Sequence, residues 1–255
     1  MKDLNLGNAK VPPDLLPSKP EERNWGIYSF FALWIGMDIG IPTYYLASSL
    51  ISGGMNLPWA MITILLANVI IAFPILANGH AGAKYGIPST IYWRSAFGFR
   101  GASVAAIMRG IVAAGWCGIQ FWIGGSALNT VLSLLFPAWG QWAPGIWICF
   151  GVFLVVNIFI LINGLGVIKK MEHWCAPMLV IWMVVLLIWA RTSAGSWGPL
   201  VNQTGKFATT GEFIAFFIVG LNANISYWGS MPLTVTDFTK VSKDQKSHMV
   251  GQFAG

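Results

Sequence analysis

The run Gly36-Met37-Asp38-Ile39-Gly40-Ile41-Pro42 interrupts a long apolar segment and is the starting point for interpreting this sequence. Proline removes a backbone donor and clashes with the preceding turn, and glycine relaxes the backbone. A helix broken inside hydrocarbon frees carbonyl and amide groups that must find other partners. The run therefore predicts an irregular, functional point in a membrane-spanning helix.

The composition of the whole chain agrees with a membrane location. Of its 255 residues, 56% are hydrophobic and 9% are charged, whereas a soluble domain carries about 25% charged residues. The apolar stretches run unbroken instead of alternating, which indicates helices and not a barrel. This composition excludes a cytosolic enzyme, a nucleic-acid module and a disordered tail. We expect an all-α transmembrane protein embedded in the lipid bilayer.

Six windows reach the roughly 20 apolar residues that a bilayer-spanning helix requires. They cover approximately residues 26–50, 57–78, 104–128, 145–167, 174–190 and 212–236. Around these windows, we expect a flexible cytoplasmic tail at 1–24, a transmembrane domain at 25–240 and a truncated cytoplasmic loop at 241–255.

The basic residues orient the predicted spans. If the spans alternate, one side holds Lys2, Lys10, Lys19, Arg23, Lys84, Arg94, Arg100, Lys169, Lys170, Lys240, Lys243 and Lys246. The opposite side holds only Arg191 and Lys206. This asymmetry predicts a multi-pass plasma-membrane protein with a cytoplasmic N-terminus. It also explains the net charge of +6 without a nucleic-acid partner.

The sixth window has a comparable interruption, which comprises Gly220, Asn222, Asn224, Gly229 and Pro232. Two interrupted spans separated by one five-helix repeat are typical of the midplane site of a secondary transporter. The alternative is that glycine and proline are simply common in membrane helices. The pair of interruptions favours the transporter.

Asp38 is the carboxylate that the windows place well inside a span. Its insertion costs about 2.5–3.5 kcal/mol, so it should face a polar interior or a partner. We consider two roles: a cation- or proton-coupling group, and a structural acceptor for freed backbone amides. An enzyme acting within the membrane would require a cluster of ionisable groups, and Asp38 stands alone. Cysteines and histidines show no zinc-ligand spacing, so we expect no cofactor beyond a coupling ion.

The third window contains an aromatic ring and an amide on one helix face. Trp116 and Gln120 are four residues apart, so the indole could stack on a planar heterocycle while the amide binds its edge. Base–aromatic stacking is worth about 1–3 kcal/mol in nucleic-acid systems. The alternative is a helix-packing face with an interhelical glutamine bond. In the sixth window, Tyr227 and Trp228 offer a second stacking surface.

Four stretches in the same order resemble bacterial members of the nucleobase–cation symporter family 1, which includes hydantoin, allantoin, cytosine and purine permeases. They are WIGMDIGIPTY (34–44), NGHAGAKYGIPSTIYWRSAFGFRGA (78–102), GWCGIQFWIGG (115–125) and YWGSMPLTVTDFTK (227–240). The resemblance implies a cation-coupled carrier of a planar nitrogen heterocycle or ureide. It also implies the LeuT-like fold of five plus five inverted helices, which works by alternating access.

The resemblance assigns roles to single residues. Trp116 and Trp228 fall at the family's stacking tryptophans, and Gln120 at its substrate-binding glutamine. The backbone carbonyls of Gly36 and Ile39 fall at contacts to a sodium ion; a proton is the other candidate ion.

This chain differs from the hydantoin transporter of the family at three nearby positions. Gly40 replaces a glutamine and Tyr227 replaces a glycine at the edge of the substrate site, and Asp38 has no carboxylate counterpart.

Chains of this family run to about twice this length. We therefore expect these residues to represent the N-terminal half of such a carrier, with the C-terminal half as a missing partner. Residues 1–255 alone are then not expected to transport. The alternative function is a non-transporting membrane scaffold or inactive half-transporter that associates with a partner.

Overall fold

The computed structural model of the protein describes residue 12 and residues 15–255, and the described chain is helical. Its helices are α1 (Ile27–Asp38), α2 (Ile41–Ser52), α3 (Leu57–Tyr85), α4 (Ser89–Tyr92), α5 (Arg94–Leu135), α6 (Pro137–Gly140), α7 (Gly145–Asn163), α8 (Leu165–Ser193), α9 (Gly198–Val201), α10 (Thr210–Trp228), α11 (Met231–Thr239) and α12 (Gln245–Ala254). A 3-10 turn at Pro20–Glu22 precedes them.

Five of the described segments are long and apolar enough to cross a membrane. They are α3, α5, α7, α8 and the stretch Thr210–Thr239, which joins α10 and α11. The pair α1 and α2 forms a sixth candidate, bent by 58° at its break. The sequence windows fall on these segments, and the predicted all-α membrane fold is confirmed.

The chain divides into two compact units. The first unit comprises the described residues up to Ala102 together with Glu172–Gly255, and the second comprises Ser103–Met171.

Helix α3 is the central element of the first unit. It packs against α2, α10, α11 and α12. Near the middle of α3, a cluster of buried residues comprises Trp34, Ile71, Ile75 and Val235. A second cluster of buried residues comprises Leu50, Met55 and Ala60. In a bilayer such clusters stabilise the unit through close packing, because the lipid tails are as apolar as the side chains.

Helices α3 and α11 approach each other closely at Gly82. A Cβ added there would lie 2.8 Å from the Thr236 carbonyl oxygen and 3.0 Å from its Cα. Backbone atoms cannot swing aside as a side chain can, so glycine is required at this crossing.

Segments distant in sequence meet at one end of this unit. Ser18 donates from its backbone N–H to the Gly86 carbonyl (2.9 Å). The Arg23 guanidinium donates to the carbonyls of Ser242 and Ala83. We predicted a flexible tail at 1–24; residues 1–11, 13 and 14 lie outside the described residues, whereas these bonds fix Ser18 and Arg23.

The carboxylate of Asp237 forms further hydrogen bonds at the same end of the first unit. It accepts hydrogen bonds from the backbone N–H and the hydroxyl of Ser89, at the first turn of α4. The Trp93 indole donates to the Leu233 carbonyl (2.8 Å). Two of the stretches that carry the family resemblance are therefore bonded to each other.

The segment 241–255, predicted as a loop, contains helix α12. Asp244 caps this helix by accepting a hydrogen bond from the Ser247 N–H (2.6 Å). The buried face of α12 consists of Ser247, His248, Gly251 and Gln252. Such a face is polar or small, so the hydrophobic pattern gave no signal for a packed helix.

The second unit is built around α5 and α7. A Cβ added at Gly125 would lie 2.8 Å from the Phe150 Cα, so the two helices are in close contact there. The Trp122 ring packs 5.8 Å from that of Trp147. The indole of Trp139 donates to the Asn129 side chain (3.0 Å).

We expect Gly82→Ala to destabilise the first unit. The added methyl has no room beside α11, and overpacking of this kind costs about 1–3 kcal/mol. Gly110→Ala is the matched control, because a Cβ at Gly110 meets nothing within 4 Å, and alanine raises helix propensity by roughly 1 kcal/mol. Thermal unfolding in detergent measures both. Equal melting temperatures for the two variants would contradict the close α3–α11 crossing.

Candidate functional site

The break between α1 and α2 lies at Ile39 and Gly40. Ile39 still donates to the Ile35 carbonyl (3.1 Å), so α1 closes its last turn normally. Gly40 is extended, with φ −157° and ψ 162°, and Pro42 occupies the first turn of α2. The prediction of an interrupted first span is confirmed.

Thr43 occupies the centre of the break. Its hydroxyl lies 2.5 Å from the Asp38 carbonyl and 2.6 Å from the Gly40 carbonyl. It also accepts from the Gly40 N–H (3.3 Å). A hydroxyl has one proton, so it donates to one of these carbonyls at a time. Sequence reasoning missed Thr43, although a hydroxyl directly after an interruption is a recognisable signal.

The carbonyls of Gly36 and Ile39 have a different environment. Within the part of the chain that the structure describes, neither accepts a backbone hydrogen bond, and the Gly40 N–H, the usual partner of the Gly36 carbonyl, turns to Thr43 instead. Unpaired carbonyl oxygens are ligands suited to a hard cation. Their role as a sodium contact stays a prediction.

Glu172 of α8 is a second carboxylate close to the break, next to Gly36, and sequence reasoning missed it. The Glu172 carboxylate packs directly against the backbone of Gly36, in the space that a Cβ atom would occupy. The contact between α1 and α8 therefore requires glycine at position 36. The Oε2 atom of Glu172 is buried and has no hydrogen-bond partner among the described residues. The neighbouring lysines excluded Glu172 from the window 174–190, whereas α8 itself begins at Leu165.

A cavity of about 290 Å³ opens at the break. Its lining includes Asp38, Ile39, Thr43, Asn224, Tyr227 and Trp228. Asp38, Asn68 and Trp228 also border a second cavity of about 310 Å³. The structure therefore brings the break in the first span and the end of α10 to one place.

The aromatic residues of α10 are ordered by their neighbours. The Trp228 ring centroid lies 5.5 Å from that of Trp34, and the Tyr227 ring lies 4.9 Å from Trp228 at right angles. Helix α10 ends at Trp228, but Gly229 and Ser230 keep helical φ and ψ, so Thr210–Thr239 continues as one span without the sharp bend found between α1 and α2.

The predicted interruption does not extend to Gly220, Asn222 and Asn224, through which α10 is continuous. The Asn224 amide donates to the Gly220 carbonyl of its own helix (2.8 Å). Its polar group is thereby satisfied without a break in the backbone.

Trp116 and Gln120 lie on α5, in the second unit. The helix is regular there, so the two residues share one face, as predicted. Trp116 is half-buried and Gln120 is exposed. A Cβ at Gly115 or Gly118 would meet nothing within 4 Å, so this part of α5 is open. Binding of a substrate by either residue stays a prediction.

Thr43→Val should destabilise the break. Valine has the shape of threonine but removes the hydroxyl partner of the Asp38 carbonyl and of the Gly40 N–H, whereas the Gly40 carbonyl keeps the Tyr44 N–H. A polar group left unsatisfied away from water costs about 1–3 kcal/mol. Thr43→Ser retains the hydroxyl and is the control. Thermal unfolding in detergent compares the two, and identical melting temperatures would show that the hydroxyl does not hold the break.

Known proteins resemble this chain over most of its length. It is 35% identical to the allantoin permease of Bacillus subtilis over 253 residues, which cover 95% of this chain and 51% of the permease. It is 35% identical to the purine-uracil permease NCS1 of Arabidopsis thaliana, over 94% of this chain and 41% of that protein. The hydantoin permease of Microbacterium maritypicum is 29% identical, over 98% and 49% of the two chains. The chain thus spans about half the length of these curated relatives.

A solved structure shares the fold. Mhp1, a nucleobase-cation-symport-1 family transporter with bromovinylhydantoin bound in a closed conformation, superposes with a TM-score of 0.83 at 18% identity. The match covers 96% of this chain and 54% of Mhp1. The predicted LeuT-like architecture is therefore confirmed for the part that this chain represents.

The family model for permeases of cytosine and purines, uracil, thiamine and allantoin matches residues 17–255. This agrees with the resemblance seen in the four sequence stretches and with the break, the cavity and the fold described above. The chain belongs to this family of permeases, and it is a transporter-family protein and not an enzyme.

Proposed function

We propose that this chain supplies the first five-helix repeat, and the first helix of the second repeat, of a cation-coupled carrier for a nucleobase, hydantoin or allantoin-like compound. The break between α1 and α2, with a cavity beside it, is the observation that carries the proposal. Irregular backbone within hydrocarbon is tolerated where it lines a cavity, and transporters place substrates and ions at such breaks.

The proposed substrate lies between two indoles. Trp116 and Trp228 stack on its faces, Gln120 binds its edge, and Tyr227 and Gly40 border it. The neighbouring cavity supports this assignment for Trp228, whose ring is held by Trp34 and Tyr227. Gly40 also fits, because a Cβ there would meet only Pro42 at 3.6 Å, so its position is not closed by packing.

The proposed coupling ion binds at the carbonyls of Gly36 and Ile39, with Asp38 contributing negative charge. Support comes from the absence of backbone partners for both carbonyls in the described chain, and from the position of Asp38 on the cavity wall. A sodium ion suits this oxygen-rich set, and a proton on Asp38 is the alternative.

We further propose that the protein lies in the plasma membrane with its N-terminus in the cytoplasm. The predicted cytoplasmic segments meet through the bonds of Arg23 and Asp237. The predicted outer loops also meet, since the Lys206 N–H donates to the Gly54 carbonyl (2.9 Å). Contacts within each of these two sets of loops support spans that alternate in direction, with the basic residues on one side of the membrane.

Substrate recognition is tested by uptake of labelled allantoin in cells that lack their own allantoin uptake. The chain is fused to the C-terminal part of the Bacillus subtilis permease that it does not match. Trp116→Ala should raise KM roughly 5- to 150-fold, the effect of about 1–3 kcal/mol of lost stacking. Gln120→Ala should raise KM by about 3- to 10-fold or more, because a polar contact to the ring is lost.

Ile111→Ala is the control, since its side chain is 63% exposed on the opposite face of α5. Near-wild-type KM in both Trp116→Ala and Gln120→Ala would remove these residues from the site. Liposomes that contain residues 1–255 alone should show no uptake, and robust uptake would refute the need for a second repeat.

Ion coupling is tested by Asp38→Asn in the same fusion. Loss of the charge should raise the sodium concentration for half-maximal uptake about ten-fold, equivalent to roughly 1.4 kcal/mol, or should abolish the pH dependence of uptake. Glu212→Gln, in the first turn of α10, is the matched carboxylate-to-amide control. If Asp38→Asn lowers only the amount of protein in the membrane, Asp38 has a structural role.

A further inference from the structure

A chain of hydrogen bonds crosses the interior of the first unit from α3 to α1. The Gln245 side chain donates to the His80 carbonyl (3.1 Å), and the His248 Nε2 lies 2.9 Å from the Gln245 Oε1. The Gln252 Nε2 lies 3.0 Å from the His248 Nδ1. The Trp34 indole N–H donates to the Gln252 Oε1 (3.4 Å).

The partners fix the direction of every bond in this chain. Because the Gln245 side-chain NH2 donates to the His80 carbonyl, the Gln245 Oε1 must accept from the His248 Nε2–H. His248 Nδ1 is then unprotonated and accepts from the Gln252 amide. That leaves the Gln252 Oε1 facing the Trp34 N–H. Reversing the Gln252 amide would place two acceptors together at His248 Nδ1 and two donors together at the Trp34 N–H.

Burial supports a neutral His248. The side chain is fully buried, and this burial, aided by nearby His80, lowers its pKa to about 4 in spite of Asp244. Helix α12 lies close to α1: a Cβ added at Gly251 would be only 2.5 Å from the Ile27 carbonyl oxygen. The two bonds of Gln252 are buried, whereas the bond between Gln245 and His80 is exposed. Away from water, a satisfied hydrogen bond enforces one geometry.

The last member of the chain contacts the proposed substrate site. Trp34 is 6% exposed, and its ring meets that of Trp228 edge to face at 5.5 Å. Trp228, Trp34 and Gln252 border the same cavity of about 310 Å³. Rotation of Trp34 would thus remove the surface against which Trp228 rests.

We propose that Gln252 of α12 is a positioning residue: through Trp34 it fixes the orientation of the Trp228 indole that stacks on the substrate. This rests on the proposed function of Trp228, but the positioning itself is measurable without a ligand. Apolar packing alone would hold Trp34 in the core. The hydrogen bond selects the rotamer in which the indole edge meets Trp228.

The experiment uses the fusion to the C-terminal part of the Bacillus subtilis permease described above, labelled with 5-fluorotryptophan and purified in detergent micelles. The ¹⁹F resonance of Trp228 is the one that disappears in Trp228→Phe. Gln252→Leu should shift and broaden this resonance and raise the Kd for hydantoin, allantoin or uracil about three- to ten-fold, the effect of one lost hydrogen bond. Gln252→Glu retains an acceptor for Trp34, and His248 takes up a proton so that its Nδ1–H donates to the second carboxylate oxygen. This variant should therefore leave the resonance at its wild-type position.

Met249→Leu is the control on α12, because its side chain is 49% exposed and lies outside both cavities. An unchanged Trp228 resonance in Gln252→Leu, or a shift equal to that in Gln252→Glu, overturns the positioning. An unchanged Kd in Gln252→Leu overturns its link to binding. If the resonance shifts as expected but the wild type binds none of the three compounds, the positioning stands and the proposed function fails.

Discussion

The structure depends on how a broken helix satisfies its backbone groups where water is scarce. At the break between α1 and α2, Gly40 is extended, Pro42 lacks an N–H, and the Thr43 hydroxyl serves the carbonyls that lie nearest to it. Hydrocarbon offers no substitute partners, so carbonyls that Thr43 does not reach must face a cavity or an ion. The position of the break thereby determines where the cavity, Asp38 and the aromatic residues of α10 can act together.

A second constraint is the close approach of helices through glycine. Gly82 brings α3 against α11, Gly251 brings α12 against α1, and Gly36 accommodates the Glu172 carboxylate of α8. Each contact places polar groups of one helix beside the backbone of another. Dispersion forces and buried hydrogen bonds then stabilise the unit, as expected where lipid removes the hydrophobic drive between helices.

Local chemistry explains what could be predicted from the sequence. The spans could be predicted from apolar runs, and the first break from Gly40 and Pro42, because both signals act within a few residues.

The features that could not be predicted also have physical reasons. Asn224 bonds within its own helix, so α10 continues where an interruption was expected. Glu172 follows two lysines that lower the window average, and α12 buries polar residues, so neither gave an apolar signal. The Trp34–Trp228 contact joins residues 194 positions apart, and periodicity carries no information about such pairs.

The bonds of Ser18 and Arg23 have a practical consequence for handling the protein. Because these residues attach to Gly86, Ala83 and Ser242, the stretch before α1 acts as a clasp across α3 and the residues that precede α12. A purification tag or fluorescent fusion joined directly at residue 24 would remove that clasp. Joining it upstream of Ser18 leaves the clasp in place.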